Sequence, residues 1–266
     1  MSDLPHPHVS GIPESSRAAL RLQATGPAEW LAARLRFVPS LGVSWIVANL
    51  GALVVAAVMI VLGLLTTKVL LSVQAIENAD EWLPVWLADR RTPFLTDLSR
   101  VGSDLGDVVL ILAVGVVAIG LTLRRRWRMA AFVVQAGLAE ALAYLLVTSA
   151  VNRPRPYVEH LDTLNPNHSF PSGHVAASVA VYGAIALLLT AHFRHVWERV
   201  VIWMVTGGIV LAVAMSRIYR GEHHPIDVAG GALMGFGALM VALFAARTGR
   251  KVAELHATKR IQEARS

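Results

Sequence analysis

The chain has 266 residues, 55% of them hydrophobic and 16% charged, with a net charge of +6 and no cysteine. The missing cysteines exclude a disulfide framework and a thiolate metal site. The positive balance does not indicate nucleic acid as a partner, because the basic residues fall between apolar runs and not along one face. Those runs set the class: uninterrupted apolar stretches of about 18 residues or more are long enough to cross hydrocarbon as helices.

Residues 1–41 are polar, contain several prolines and four arginines, and read as a tail preceding the first span. The run after them is too long for the apolar core of a secretory signal, so none is expected. Within this tail, Pro27 to Phe37 is either a basic helix lying on the membrane surface or plain polar chain. The first span covers about Val43 to Thr66 and is free of charge. From Lys68 to Asp107 the acids Glu77, Asp80, Glu81 and Asp104 appear beside Trp82 and Trp86, the pattern of an extramembrane segment of short helices with interfacial tryptophans. A second span, about Val108 to Leu123, stops at the basic cluster Arg124, Arg125, Arg126 and Arg128. The third runs from about Met129 to Val151 and holds one acid, Glu140, a functional candidate by position alone. The fourth and fifth cover about Val175 to Thr190 and Val200 to Met215. The sixth, about Val228 to Ala246, carries Gly231 and Gly235 at a spacing suited to close packing against a neighbour. The expected fold is therefore all-α: a polytopic membrane protein with a six-helix bundle over residues 42–246, followed by a basic C-terminal tail, 247–266.

With six spans, the segments carrying sixteen of the 24 Lys and Arg residues fall on one side and the other eight on the opposite side. Positive residues favour the cytoplasm. Both termini are therefore expected there, in a cell inner or plasma membrane. Three polar blocks then emerge together on the extracytoplasmic side: Asn152 to Tyr157, Pro171 to His174, and Ser216 to Asp227.

The last block is the centre of interest. His223 and Asp227 are four apart, with Pro225 at a position suited to the first turn of a helix, so the carboxylate is expected to face back toward the imidazole. A histidine held in that way serves as base, nucleophile or metal ligand. Ser172 and Gly173 precede an apolar span; Ser172 is a candidate N-cap, Gly173 permits close backbone approach, and the helix start would aim free N–H groups at an anion. With Arg153, Arg155 and Arg217 added, the inventory describes a phosphate cradle. In it His223 can attack phosphorus, and His174 can protonate the departing alkoxide and then take a proton from water. Zinc on His174, His223 and Asp227 is the competing use of the same side chains, disfavoured by the arginines around them. Outside this set, His224 reads as a solvated or hydrogen-bonded bystander, Arg220 as a rim charge, and His160, His168 and Glu222 as solvated.

Arg155-Pro156, then Pro171-Ser172-Gly173-His174, then Ser216-Arg217 with His223 and Asp227, resemble the three-part signature of the type-2 phosphatidic acid phosphatase family, the integral-membrane lipid phosphate phosphatases whose core is related to vanadium-dependent haloperoxidases. The resemblance covers about residues 85–246. It implies a metal-independent, cofactor-free hydrolase of a terminal lipid phosphate: phosphatidate, phosphatidylglycerol phosphate or a polyprenyl phosphate or diphosphate. It implies His223 as the nucleophile that becomes a phosphohistidine, Asp227 as its orienting partner and His174 as general acid and base. Arg155, Ser172, Gly173 and Arg217 would hold the phosphate. The family pattern also places a lysine seven residues before Arg155, where this chain has Thr148. Thr148 would supply a hydroxyl there, and Arg153 the absent charge. Two other uses fit the same sequence: a phosphotransferase working through the same intermediate, and a non-catalytic transporter or scaffold for anionic lipid.

Overall fold

The computed structural model describes residues 26–162 and 167–264. Most of the amino-terminal tail and the last two residues therefore lie outside the described residues. A short helix, α1 (Pro27–Arg34), precedes the bundle. It is followed by α2 (Ser40–Lys68), α3 (Gln74–Ala88), α4 (Pro93–Leu105), α5 (Val108–Leu123), α6 (Trp127–Ala150), α7 (Gly173–Thr190), α8 (Val196–Tyr219) and α9 (Pro225–Glu263).

Among the described residues, six helical stretches are long and apolar enough to cross a membrane: Ser40–Ser72, Pro93–Leu123, Trp127–Ala150, Gly173–Thr190, Val196–Tyr219 and Pro225–Glu263. The protein is an integral membrane protein of the expected class. Its outward-facing side chains agree, since Val54, Val58, Ile111, Leu112, Met204 and Leu211 are all exposed. Such a surface is stable against lipid and not against water.

Two boundaries differ from the sequence reading. The second span begins at Pro93, because α4 leads into α5 through a break at Gly106 and Asp107. Thr92 caps α4, accepting from Leu95 N at 3.2 Å, with Pro93 in the first turn. The sixth helix continues well past Ala246 to Glu263, and against its far end α1 is held by Ala32 packing on Val252 and by a Lys251–Glu29 pair at 2.8 Å.

Helix α9 lies centrally, packed on α2, α6 and α7, while α8 packs on α4 and α7. The helices approach closely because the residues between them are small; Ala52, Ala139, Ala180 and Ala238 form one buried cluster. Gly231 and Gly235 act as the spacing predicts. A Cβ on Gly231 would sit 2.4 Å from the Ser172 carbonyl, and one on Gly235 2.2 Å from the Ala176 carbonyl. The two glycines thereby bring the start of α9 against the start of α7, where Ser172 N donates to Asp227 O at 3.0 Å. This contact joins the second and third sequence blocks.

Candidate active site

The polar blocks between α6 and α7, and between α8 and α9, meet at one end of the bundle. Each is shaped by local rules. Helix α8 closes with Gly221 at φ +79°, Gly221 N donating to Ile218 O at 3.0 Å and Glu222 N to Arg217 O at 3.0 Å. That pair of bonds reverses the chain at a left-handed residue that favours glycine. Three residues after Gly221, α9 starts with His224 at the N-cap and Pro225 in the first turn. Asp227 turns back to accept from His224 N at 2.9 Å, closing that end.

His223 is thus outside the helix, and the direct bond to Asp227 expected from their spacing does not form. His223 Nδ1 donates instead to the Ser169 carbonyl at 2.7 Å, with Asp227 Oδ2 at 4.0 Å. The reason is that the helical face-to-face rule applies only once both residues are helical, whereas Asp227 spends its oxygens on its own helix start and on Arg153. Ser169 links the two all the same, its Oγ donating to Asp227 Oδ2 at 2.6 Å.

Arg153 likewise differs from the expectation that it would touch phosphate. It is buried, and its two terminal nitrogens pair with Asp80 of α3 and Asp227 of α9. It holds helices together at this end. Thr148 is buried, and its hydroxyl donates to the Tyr144 carbonyl at 2.9 Å within its own helix, so no phosphate contact is assigned to it.

Arg155 reaches the third block, donating to the Glu222 carbonyl and to His168 O at 3.2 Å, with Glu222 Oε2 at 3.2 Å. Arg217 donates through Nη1 to Ser103 Oγ at 2.6 Å and to Asp162 at 2.8 Å. Its Nε and Nη2 are buried with no partner among the described residues. Ser172 occupies the N-cap position of α7, but its buried hydroxyl makes no cap and has no partner there either. The next two residues also face this region: Tyr144 fills the space a Gly173 side chain would take, and His174 lies against Gly106, at the break between α4 and α5. Arg217, Asp162 and Arg155 are within electrostatic reach of His174.

Glu222 and Arg220, read from sequence as solvated and as a rim charge, are buried. Arg220 grips both Asp162 oxygens and Ser99, and its hydrogen bond holds the Asp162 carboxyl down at about 2 against the opposing effect of burial. His224 is a bonded residue, 3.1 Å from Asp227 and 2.8 Å from Glu81. Burial pushes its imidazole down, but the bonds to those two carboxylates more than offset this and leave it raised. For His223 burial wins: it holds the imidazole well below the ordinary range, with Asp227 opposing and Arg155 and Arg217 reinforcing.

Asp80, Glu81, Asp162 and Ser169 were not singled out by the sequence reading. Asp80 and Glu81 sit in a short helix far from the motifs, and Asp162 and Ser169 in a polar loop where nothing distinguishes them from solvated residues. Among the described residues, no three His, Cys, Asp or Glu side chains gather as a metal-ligand set.

The sequence profile of the PAP2 superfamily matches residues 129–250. The bacitracin transport permease protein BcrC of Bacillus licheniformis is 30% identical over 177 residues, which span 61% of this chain and 81% of that protein. The putative undecaprenyl-diphosphatase YbjG of Escherichia coli is 32% identical over 163 residues, 57% of this chain and 74% of the relative. Among solved structures, the transmembrane PAP2-type phosphatidylglycerolphosphate phosphatase of Bacillus subtilis shares the fold, with a TM-score of 0.59 at 23% identity over 75% of this chain and 94% of that one.

Proposed function

The chain belongs to the PAP2 superfamily, and from that premise we propose that it removes a terminal phosphate from a membrane lipid through a phosphohistidine at His223. One observation carries the reading. Arg217 Nε, Arg217 Nη2 and Ser172 Oγ are buried polar groups left without partners among the described residues, beside a helix start whose first N–H groups have no acceptor of their own. Unpaired buried donors cost roughly 1–3 kcal/mol each. A tetrahedral anion would satisfy all of them at once.

In this reading, His223 Nδ1–H is fixed on the Ser169 carbonyl and Nε2 carries the lone pair. Burial keeps the ring neutral and therefore nucleophilic. Attack by Nε2 forms the N–P bond while the phosphorus–oxygen bond to the lipid breaks, and the electron pair leaves on that oxygen. His174 gives it a proton. Water then attacks phosphorus, His174 takes the water's proton, and the N–P bond returns its electrons to His223. Arg155, Arg217, Ser172 and the Gly173 backbone hold the equatorial oxygens throughout. Asp227 acts on His223 through Ser169 and through its field at 4.0 Å.

A lipid substrate is supported by the surroundings. An apolar cleft of about 360 Å³ lies between α4 and α8, lined by Leu95, Leu98, Val101 and Met215. It also reaches Gly102 and Ser216, each one residue from a member of the Arg217–Ser103 pair, so a tail can stay in lipid while its phosphate enters the cradle. The site end lies opposite the basic loops, which supports an extracytoplasmic active site with cytoplasmic termini.

Purified protein in detergent is expected to release phosphate from at least one of phosphatidate, phosphatidylglycerol phosphate and undecaprenyl diphosphate, at the same rate with and without chelator. An added acceptor alcohol would reveal a phosphotransferase by its phosphorylated product. Failure to release phosphate from any of the three lipids, and to form that product, would count against the proposal.

A further inference from the structure

Tyr144 belongs to no motif of the sequence, yet the structure places it at the cradle. Its ring lies against the first residue of α7: a Cβ on Gly173 would come within 2.8 Å of Tyr144 Cε2 and 3.0 Å of Cζ. The glycine there is what admits the phenol ring. Since Cζ carries the hydroxyl, that group sits at the first turn of α7, which begins at Gly173 directly after Ser172, whose Oγ is buried and without a partner among the described residues. Arg155 and Arg217 are both within electrostatic reach of Tyr144. No hydrogen bond engages the phenol among the described residues.

Thr148 lies one helical turn away on the same face of α6, where the resemblance places a lysine. Its hydroxyl is turned back onto its own helix, donating to Tyr144 O at 2.9 Å. Helix α6 therefore offers the site a phenol and not an ammonium.

We propose that Tyr144 binds the substrate directly, its hydroxyl donating to a phosphate oxygen held between Arg155, Arg217 and the start of α7. The inference rests on reading this site as a phosphate-transfer centre. The oxygen this neutral donor would meet is anionic before and during transfer, so the contact contributes to binding phosphate in the ground state as much as in the transition state.

The test compares wild-type protein with Tyr144→Phe, which keeps the ring against Gly173 and removes only the hydroxyl. Two quantities are measured in detergent: binding of inorganic phosphate by calorimetry, and KM and kcat for a lipid phosphate. Loss of one hydrogen bond to a charged ligand predicts binding weakened roughly tenfold or more, KM raised in parallel, and kcat little changed. A merely structural role would instead lower the melting midpoint. Phosphate affinity within about twofold of wild type would overturn the assignment. A wild-type protein that binds phosphate but turns over no lipid would defeat the proposed function, while the calorimetric comparison would still decide the role of Tyr144.

Discussion

The two ends of the bundle carry similar kinds of charge and use them in opposite ways. At the site end, Asp80, Arg153, Arg217, Arg220, Glu222 and Asp227 are buried, and each pairs with side chains from another segment. At the far end, Arg124, Arg125 and Arg128 are exposed, and ion pairs such as Lys259–Glu263 at 3.5 Å are surface ones. Exposed pairs contribute little, with a median near 0–1 kcal/mol. Buried ones lose several kcal/mol when a single partner is removed. Charge at the far end stays on the surface, whereas at the site end it ties segments of the bundle to one another.

The largest effect of that difference is expected at Arg153. Arg153→Met strands the Asp80 and Asp227 carboxylates, at a cost of about 3–5 kcal/mol, and is expected to lower the melting midpoint in detergent by on the order of 10 °C. Arg124→Gln should stay within about 0.5 kcal/mol of wild type. Equal losses in the two variants would erase the contrast between the ends.

A smaller effect concerns pH. Because the His224 imidazole is raised above its ordinary value, the stability it contributes is fully present below about pH 6.5 and is lost as pH rises through the folded value. Glu81→Gln removes one of the two carboxylates that raise it, so the alkaline loss of stability should be smaller and complete at lower pH. Melting midpoints taken across pH would show this, and coincident alkaline limbs for the two proteins would remove His224 from the network.

Much of the fold was legible because lipid imposes simple demands: long apolar runs, interruptions at basic clusters, and glycines where helices cross. Gly231 and Gly235 announced their packing by spacing alone. The convergence of Arg155, Ser172, His174, Arg217 and His223 at one end followed from counting spans. What stayed hidden depended on where side chains turn. His223 and Asp227 have helical spacing, yet the helix begins at Pro225, two residues after His223, so the carbonyl of Ser169 takes the bond. Arg153 and Arg155 both read as phosphate ligands in sequence, and the pairing of Arg153 with Asp80 and Asp227 makes it a helix clamp. Tyr144 carries no signal by itself; it becomes visible through the Cβ that Gly173 lacks.

The central claim is that His223 receives the phosphoryl group, and trapping that group tests it most directly. Purified protein is incubated briefly with lipid labelled in its terminal phosphate, quenched at alkaline pH and mapped by mass spectrometry. The account predicts acid-labile phosphate on His223, absent from His223→Asn, and a larger fraction in His174→Asn when the lipid's leaving group is good enough to depart unprotonated, because removal by water then lacks its base. Undiminished phosphate release by His223→Asn, or label on another residue, would contradict it.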